Sequence, residues 1–140
     1  MGVIVFRKLI IIAIFAIFIA SCEEGIVSEC PTNLDDVKFV ATFSSIQSEL
    51  LSKNCALSGC HAGSIPAGGL VLSSGAAYNN IVNKIAYDET MYVEPGDPDN
   101  SYLFQRVSAN TSSVMPPTGK LPQYMIDTLR VWIENGALNN

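Results

Sequence analysis

The residues best suited to chemistry lie close together near the middle of the chain. The segment is Cys55-Ala-Leu-Ser-Gly-Cys60-His61, and His61 is the only histidine in the sequence. Two thiols followed by an imidazole can hold a c-type haem, since the thiols add to its vinyl groups and the imidazole coordinates the iron. Two alternatives stay open: a Cys55–Cys60 disulfide beside a surface histidine, or a zinc site that also uses Cys30.

The spacing of the two cysteines differs from the usual Cys-x-x-Cys-His motif. Four residues separate Cys55 from Cys60, instead of two. In a regular helix a step of five residues would place the two thiols roughly 140° apart, so both could not face one haem edge. We therefore expect the additional residues to bulge outwards at Ser58-Gly59, because glycine accepts unusual backbone angles.

A second iron ligand from this chain would be a methionine, because no second histidine is present. Met115 precedes Pro116 and Pro117 in a polar segment, where the prolines could fix the backbone and hold the sulfur towards the iron. Met91, also in a predicted loop, is the second choice, whereas Met125 lies on the apolar face of a predicted helix. The alternative for Met115 is a flexible side chain that fills an apolar gap.

The first residues have the features of an export signal. Arg7 and Lys8 precede the apolar run Leu9–Ala20, which ends two positions before Cys22. This ending resembles the lipobox of bacterial lipoproteins, in which the cysteine is acylated and becomes the new N-terminus. We therefore predict a signal peptide over residues 1–21, lipid on Cys22, and a place in the cell envelope, facing the periplasm or in the outer membrane of a Gram-negative bacterium. An uncleaved N-terminal anchor is the alternative.

The charge balance and composition bound the remaining chain. Without Arg7 and Lys8, six basic residues stand against thirteen acidic ones, a net charge of −7. This acidic balance lacks the basic footprint of a nucleic-acid-binding protein and favours a partner with a basic surface. Residues 22–36 are predicted to form a flexible tether, followed by one folded domain over 37–140. Cys30 in the tether has no assigned role.

Apolar residues recur at helical spacing in four segments. We expect helices over 37–53 and 75–85, a short helix after residues 99–100, and a last helix over 122–136. The predicted caps are Ser73 or Ser74 for the second helix and Asp99 or Asn100 for the third, and Pro122 opens the fourth. The side chains predicted on apolar faces towards the core are Phe39, Phe43, Ile46, Leu50, Tyr78, Ile81, Val82, Ile85, Met125, Ile126, Leu129, Trp132 and Ile133, and the short third helix contains Tyr102, Leu103 and Val107. The fold class is therefore all-α, with about four helices and long ordered loops around one haem.

The order of these features resembles class I cytochrome c, and in particular the planctomycete-type cytochrome c domain. The resemblance spans residues 43–138, and Val93–Leu103 adds to it because those domains have a similar proline- and aspartate-rich stretch. It implies thioether bonds at Cys55 and Cys60 and iron ligation by His61 and Met115. The features that carry it are the first helix, the Cys55…Cys60-His61 segment, Gly68-Gly69-Leu70, Met115-Pro-Pro, and a last helix with Trp132-Ile133 and Gly136-Ala137.

The resemblance implies a membrane-anchored monohaem electron carrier and not an enzyme. With His61 and Met115 both on the iron, no position is left for oxygen or peroxide chemistry. Its partner would be a redox protein with a basic docking patch. Two other functions stay open: a haem-based sensor or peroxidase-like protein from which Met115 detaches, and a haem-free surface lipoprotein with a Cys55–Cys60 disulfide.

Overall fold

Helices joined by long turns make up the part of the chain that the computed structural model describes, residues 39–86 and 89–140. In this part there are isolated β-bridges but no strands, which agrees with the all-α prediction. All described residues belong to one compact unit. The α-helices are α1 (Phe43–Ser45), α2 (Ala77–Ile81), α3 (Tyr102–Ser108) and α4 (Gln123–Glu134); α1 continues into a π-helix, Ile46–Cys55, and Ala67–Gly69 forms a short 3-10 helix.

The first helix is wider than the sequence predicts. Its hydrogen bonds run over five residues in the π-helical part, so each turn holds more residues than an α-helical turn. In an α-helix, the nine-residue step from Ile46 to Cys55 would put the two side chains roughly 180° apart. Here both are buried on the core side. The predicted end at Lys53 is therefore wrong, because Cys55 is the last residue of this helix and not the start of a loop.

The second helix is shorter than predicted. It ends at Ile81 because Val82 is extended, and Asn83 then has a φ of 55°, a left-handed conformation that asparagine tolerates. The chain therefore leaves the helical path before Ile85, which was predicted to face the core and is 70% exposed. Neither Ser73 nor Ser74 caps the helix through its side chain, so that prediction is also wrong.

The third helix is where predicted, but its cap is different. The N-cap is Ser101 and not Asp99 or Asn100. Ser101 is fully buried, where its hydroxyl donates to the Asp97 carbonyl at 2.7 Å and accepts the Glu94 N–H at 2.9 Å. Asn100 instead donates its side-chain amide to the Asp97 carboxylate at 2.6 Å, which lowers the pKa of Asp97. The polar residues of this loop therefore stabilise the turn before the helix.

The last helix agrees closely with the prediction and supplies much of the core. Pro122 is its N-cap, and Gly136, with a φ of 91°, follows its end. Trp132 packs against Phe43, with ring centroids 5.7 Å apart. Met125 is only partly buried against the core, as are Phe39 and Tyr78. The buried core residues from the helices include Phe43, Ile46, Leu50, Leu51, Ile81, Leu103, Phe104, Val107, Ile126, Leu129, Trp132 and Ile133.

Several predictions concern the N-terminal part of the chain. The signal peptide over 1–21, the lipid site at Cys22, and the tether over 22–36 with Cys30 all lie outside the described residues. Among the helices of the described part, none has the length and apolar character needed to cross a membrane.

Candidate functional site

Two cavities bring together residues that are far apart in the sequence. Their volumes are about 270 and 150 Å³, and both are lined by Cys55, His61, Ala67 and Met115. We call the two cavities together the cleft. Cys60 lines the smaller cavity. The larger cavity has mainly apolar and aromatic walls, including Leu70, Leu72, Tyr92, Tyr102, Leu103 and Val107.

The two cysteines enter the cleft from different elements. Cys55 is buried at the end of the π-helix, and Cys60 is half-buried in the loop that follows. Both are free thiols, so the structure contains no Cys55–Cys60 disulfide. The side chain of Asn54 donates to the carbonyls of Glu49 at 3.2 Å and Leu50 at 3.1 Å. These bonds stabilise the last turn of the π-helix and thereby the position of Cys55.

The loop between the cysteines is exposed at its tip, and Gly59 also lines the rim of the smaller cavity. The His61 N–H donates to the Cys55 carbonyl at 3.1 Å and closes the base of this loop. Leu57, Ser58 and Gly59 are exposed, and Gly59 has a φ of 79°, which favours glycine. The predicted bulge at Ser58-Gly59 is therefore confirmed, and it also includes Leu57.

The hydrogen bond at the base of this loop explains how the unusual spacing is accommodated. It joins Cys55 and His61, which are six positions apart. With two residues fewer it would join positions i and i+4, which is the bond of an α-helical turn. The span of this bond therefore exceeds that of an α-helical turn by two residues, the same number by which the cysteine spacing exceeds the usual motif.

The environment of Cys55 suppresses its ionisation. Burial raises the pKa of the Cys55 thiol to about 11, and the nearby Cys60 adds to this increase. At neutral pH the side chain is therefore an uncharged thiol. A thioether is likewise uncharged, so it would suit the same buried position.

The ring of His61 has one nitrogen engaged by the backbone. Its Nδ1 lies 3.3 Å from the Leu70 carbonyl, and this bond forms when Nδ1 carries the proton. The Nε2 atom then keeps its lone pair for a metal ion. The Leu72 N–H also donates to the His61 carbonyl at 2.8 Å, so residues 70–72 hold both the ring and the backbone of His61.

Two amide side chains in turn hold residues 70–72. Asn80 on α2 donates to the Val71 carbonyl at 2.9 Å. Gln47 in the π-helix donates to the Leu72 carbonyl at 3.1 Å. The orientation of His61 therefore depends on Gln47 and Asn80, which lie on two different helices and do not line the cleft.

Met115 is the methionine that lines the cleft. Its N–H donates to the Arg106 carbonyl at 2.9 Å, which ties its loop to α3. The Met115–Pro116 peptide bond is cis. Met91 lines neither cavity, and its carbonyl accepts the N–H of Tyr102. Met125 packs against the core from α4, in agreement with its predicted structural role.

Sequence reasoning missed part of the cleft. Arg106 and Tyr92 line the larger cavity, as does Tyr102, which was predicted only as part of the third helix. Arg106 is three positions after Leu103 and one before Val107, so helical spacing alone puts it beside the apolar face of α3. That spacing was the available signal. A lone arginine on a short helix is more commonly a solvated residue, so the sequence alone does not identify Arg106 as part of a binding site.

The residues of the cleft fit a haem. Apolar walls suit a porphyrin, an imidazole nitrogen and a thioether sulfur are common axial ligands, and two thiols lie beside them. His61 and Met115 would hold the iron, and Cys55 and Cys60 would hold the porphyrin edge. Within residues 39–86 and 89–140, no three His, Cys, Asp or Glu side chains are grouped to hold a free metal ion. Cys30, which the zinc alternative requires, lies outside these residues.

Comparison with known proteins agrees with this fit. Residues 58–119, a little under half of the 140 residues, match the family model described as planctomycete cytochrome C. The match contains Cys60, His61 and Met115 and begins after Cys55. No curated protein and no solved structure matches the chain. A domain of this family implies covalently bound haem c.

Proposed function

We propose that the chain carries single electrons through one haem c held in the cleft, since residues 58–119 match the family model of planctomycete cytochrome C. Cys55 and Cys60 form the thioether bonds, and His61 and Met115 are the axial ligands of the iron. The observation that supports this proposal is that these four residues line two cavities with a shared wall.

The residues around the cleft suit electron transfer better than catalysis. The haem supplies one-electron chemistry at its iron. The Leu70 carbonyl orients the His61 ring, and the Arg106 carbonyl holds the backbone of Met115, so both ligands stay in place. The mainly apolar walls of the larger cavity would place little polar surface against the porphyrin. If His61 and Met115 both bind the iron, the haem would offer no open position to a substrate.

The proposal includes a place in the cell. Cytochrome c domains of the planctomycete type are typically extracellular or periplasmic. The signal peptide predicted over residues 1–21 and lipid on Cys22 would tether the domain to a membrane of the cell envelope. The net charge of −7 after cleavage favours a redox partner with a basic docking patch.

Covalent haem attachment is the decisive test. We expect the mature chain, produced in a periplasm with haem-maturation machinery, to stain for haem on a denaturing gel and to have the mass of polypeptide plus one haem. The Cys55→Ala/Cys60→Ala double variant should lose all covalent haem, because no thiol remains in the cleft. Intact-protein mass spectrometry measures both results.

Cys30→Ala is the control, since it removes a thiol that the proposal does not assign to the haem. It should keep one haem per chain. A purified mature chain with the mass of the bare polypeptide would contradict the proposed function. Loss of haem in Cys30→Ala, with attachment retained in the double variant, would contradict the assignment of the two cysteines.

The bulge makes a separate prediction about spacing. Deletion of both Ser58 and Gly59 leaves Cys-Ala-Leu-Cys-His, in which the bond between the Cys55 carbonyl and the His61 N–H spans four positions, as in an α-helix. We expect this variant to attach haem through both cysteines at close to the original yield. Deletion of Gly59 alone leaves a five-position span and should lower the yield several-fold. Haem content per chain, from mass and absorption spectra, measures the yield.

The comparison between the two deletions decides the interpretation of the loop. If they reduce haem content equally, the additional residues are not a bulge outside a helical turn. In that case the attachment segment has a geometry of its own.

A further inference from the structure

Arg106 is the one cation among the residues that line the two cavities. It is half-buried on α3, and its guanidinium carbon lies 5.7 Å from the centroid of the Tyr102 ring. None of the ion pairs found within the described residues includes Arg106. A partly buried charge is costly without a counter-charge or hydrogen-bond acceptors. Arg106 therefore lines the cleft, and its guanidinium lacks an anionic partner among the described residues.

The other described arginine shows the contrast. Arg130 on α4 also lies over an aromatic ring, with its guanidinium carbon 4.5 Å from the centroid of Phe104. It pairs with Asp99 at 2.6 Å and with Glu134 at 3.5 Å. Arg130 does not line either cavity. The arginine away from the cleft thus has two carboxylates, and the arginine at the cleft has none among the described residues.

A haem in the cleft would supply the missing anions. Its porphyrin has vinyl groups on two adjacent pyrroles and propionate carboxylates on the other two, so the thioether edge and the propionate edge are on opposite sides. Cys60 lines only the smaller cavity and Arg106 only the larger one, while Cys55, His61 and Met115 line both. A haem joined to Cys60 at one end would therefore direct its propionates towards the end where Arg106 lies.

We propose that the Arg106 guanidinium pairs with a haem propionate and thereby raises the reduction potential of the iron. This inference rests on the proposed placement of the haem in the cleft. An arginine can bind a carboxylate through two parallel N–H bonds, which fixes its orientation as well as its charge. The same residue holds Met115 through its backbone carbonyl, which a side-chain substitution leaves in place.

The direction of the effect follows from charge. Oxidation adds one positive charge at the iron, and an unpaired propionate nearby favours that state. Arg106 neutralises this negative charge, so it favours the ferrous form. Removing the guanidinium should therefore lower the reduction potential.

The test compares the holoprotein with variants at Arg106 and at Arg130. In Arg106→Gln we expect the equilibrium between ferrous and ferric haem to shift about tenfold towards ferric, which is 59 mV for a one-electron couple. Arg106→Lys should recover part of the shift, because lysine restores the charge without the two-pronged geometry. Arg130→Gln is the matched control: it changes net charge equally and removes a ring-stacked guanidinium, but it should shift the equilibrium less than twofold.

Two further measurements on the same samples distinguish a failure of this inference from a failure of the proposed function. They are the haem content and the charge-transfer band of Met-bound ferric haem. The pairing would be overturned if Arg106→Gln and Arg130→Gln shifted the potential equally. It would also be overturned if Arg106→Gln left the potential unchanged while haem and band were intact. In both cases the proposed electron-carrier function would still hold. Absence of haem from the unaltered protein would overturn the function itself.

A measurement on the unaltered holoprotein covers the case in which Arg106→Gln does not fold. Redox difference infrared spectra with haem labelled by ¹³C at the propionates identify the carboxylate bands. Labelling arginine with ¹⁵N should move one of those bands, since a bonded guanidinium is coupled to the carboxylate. Propionate bands that do not respond to arginine labelling would overturn the pairing.

Discussion

Replacing Met115 by alanine is expected to lower the reduction potential of the haem by on the order of tenths of a volt. Axial ligands set haem potentials over about 0.8 V, and methionine opposite histidine raises the potential. The charge-transfer band of Met-bound ferric haem should disappear at the same time, because the sulfur is gone. Potentiometric titration followed by absorption spectroscopy measures both effects on the holoprotein.

Met91→Ala is the matched control for this substitution. Met91 also lies in a loop, but it lines neither cavity of the cleft, so its removal should leave the potential and the band unchanged. The reverse pattern, with the band lost only in Met91→Ala, would show that the axial ligand is wrongly assigned. An unaltered protein that has no such band and binds carbon monoxide or cyanide readily would favour the sensor or peroxidase-like alternative.

Replacing Trp132 by alanine is expected to destabilise the domain by about 3–5 kcal/mol. The indole is 1% exposed and packs against Phe43, and its N–H donates to the Leu138 carbonyl at 2.9 Å. Alanine would leave both a cavity and an unpaired carbonyl. A loss of this size is a large part of the roughly 5–15 kcal/mol that usually stabilises a domain. Denaturant unfolding of the holoprotein, followed by far-UV circular dichroism, measures it.

The neighbouring Val131 gives a control within the same helix. Its side chain is 42% exposed, so Val131→Ala should change the free energy of unfolding by no more than about 0.5 kcal/mol. Trp132→Phe should lose less stability than Trp132→Ala, because a ring still packs against Phe43. If Trp132→Ala costs no more than Val131→Ala, the burial of the indole is wrong.

The sequence predicted those elements whose side chains follow one regular period. α4 has a long apolar stripe and end signals at Pro122 and Gly136, and it was predicted nearly to the residue. The helix that ends at Cys55 was not predicted as accurately. Periodicity rules assume α-helical turns, whereas its π-helical hydrogen bonds change which positions share a face. α2 ended earlier than predicted because the chain turns through a left-handed Asn83, and the spacing of apolar residues does not reveal such a turn.

The candidate site was predictable where rare residue types carry the chemistry. A single histidine, two nearby cysteines and a methionine before two prolines limited the choices, and His61, Cys55 and Met115 line the same two cavities. The caps and Arg106 were not predictable in this way. Asp, Asn, Ser and Arg are common on surfaces, and their partners depend on how distant segments pack. Ser101 is the N-cap by its backbone position, and its hydroxyl bonds to the Glu94 N–H and the Asp97 carbonyl of the preceding turn and not to the helix.

The loop between the two cysteines has a consequence for recognising proteins of this kind. One hydrogen bond between Cys55 and His61 closes its base, so the tip can lengthen without moving these two residues. The entropic cost of a longer flexible loop grows slowly, by about 0.6 kcal/mol for each doubling of its length. Evolution can therefore insert residues there at little cost to the fold. A search that requires a fixed number of residues between the cysteines would overlook such chains, whereas the histidine and the closing hydrogen bond would still identify them.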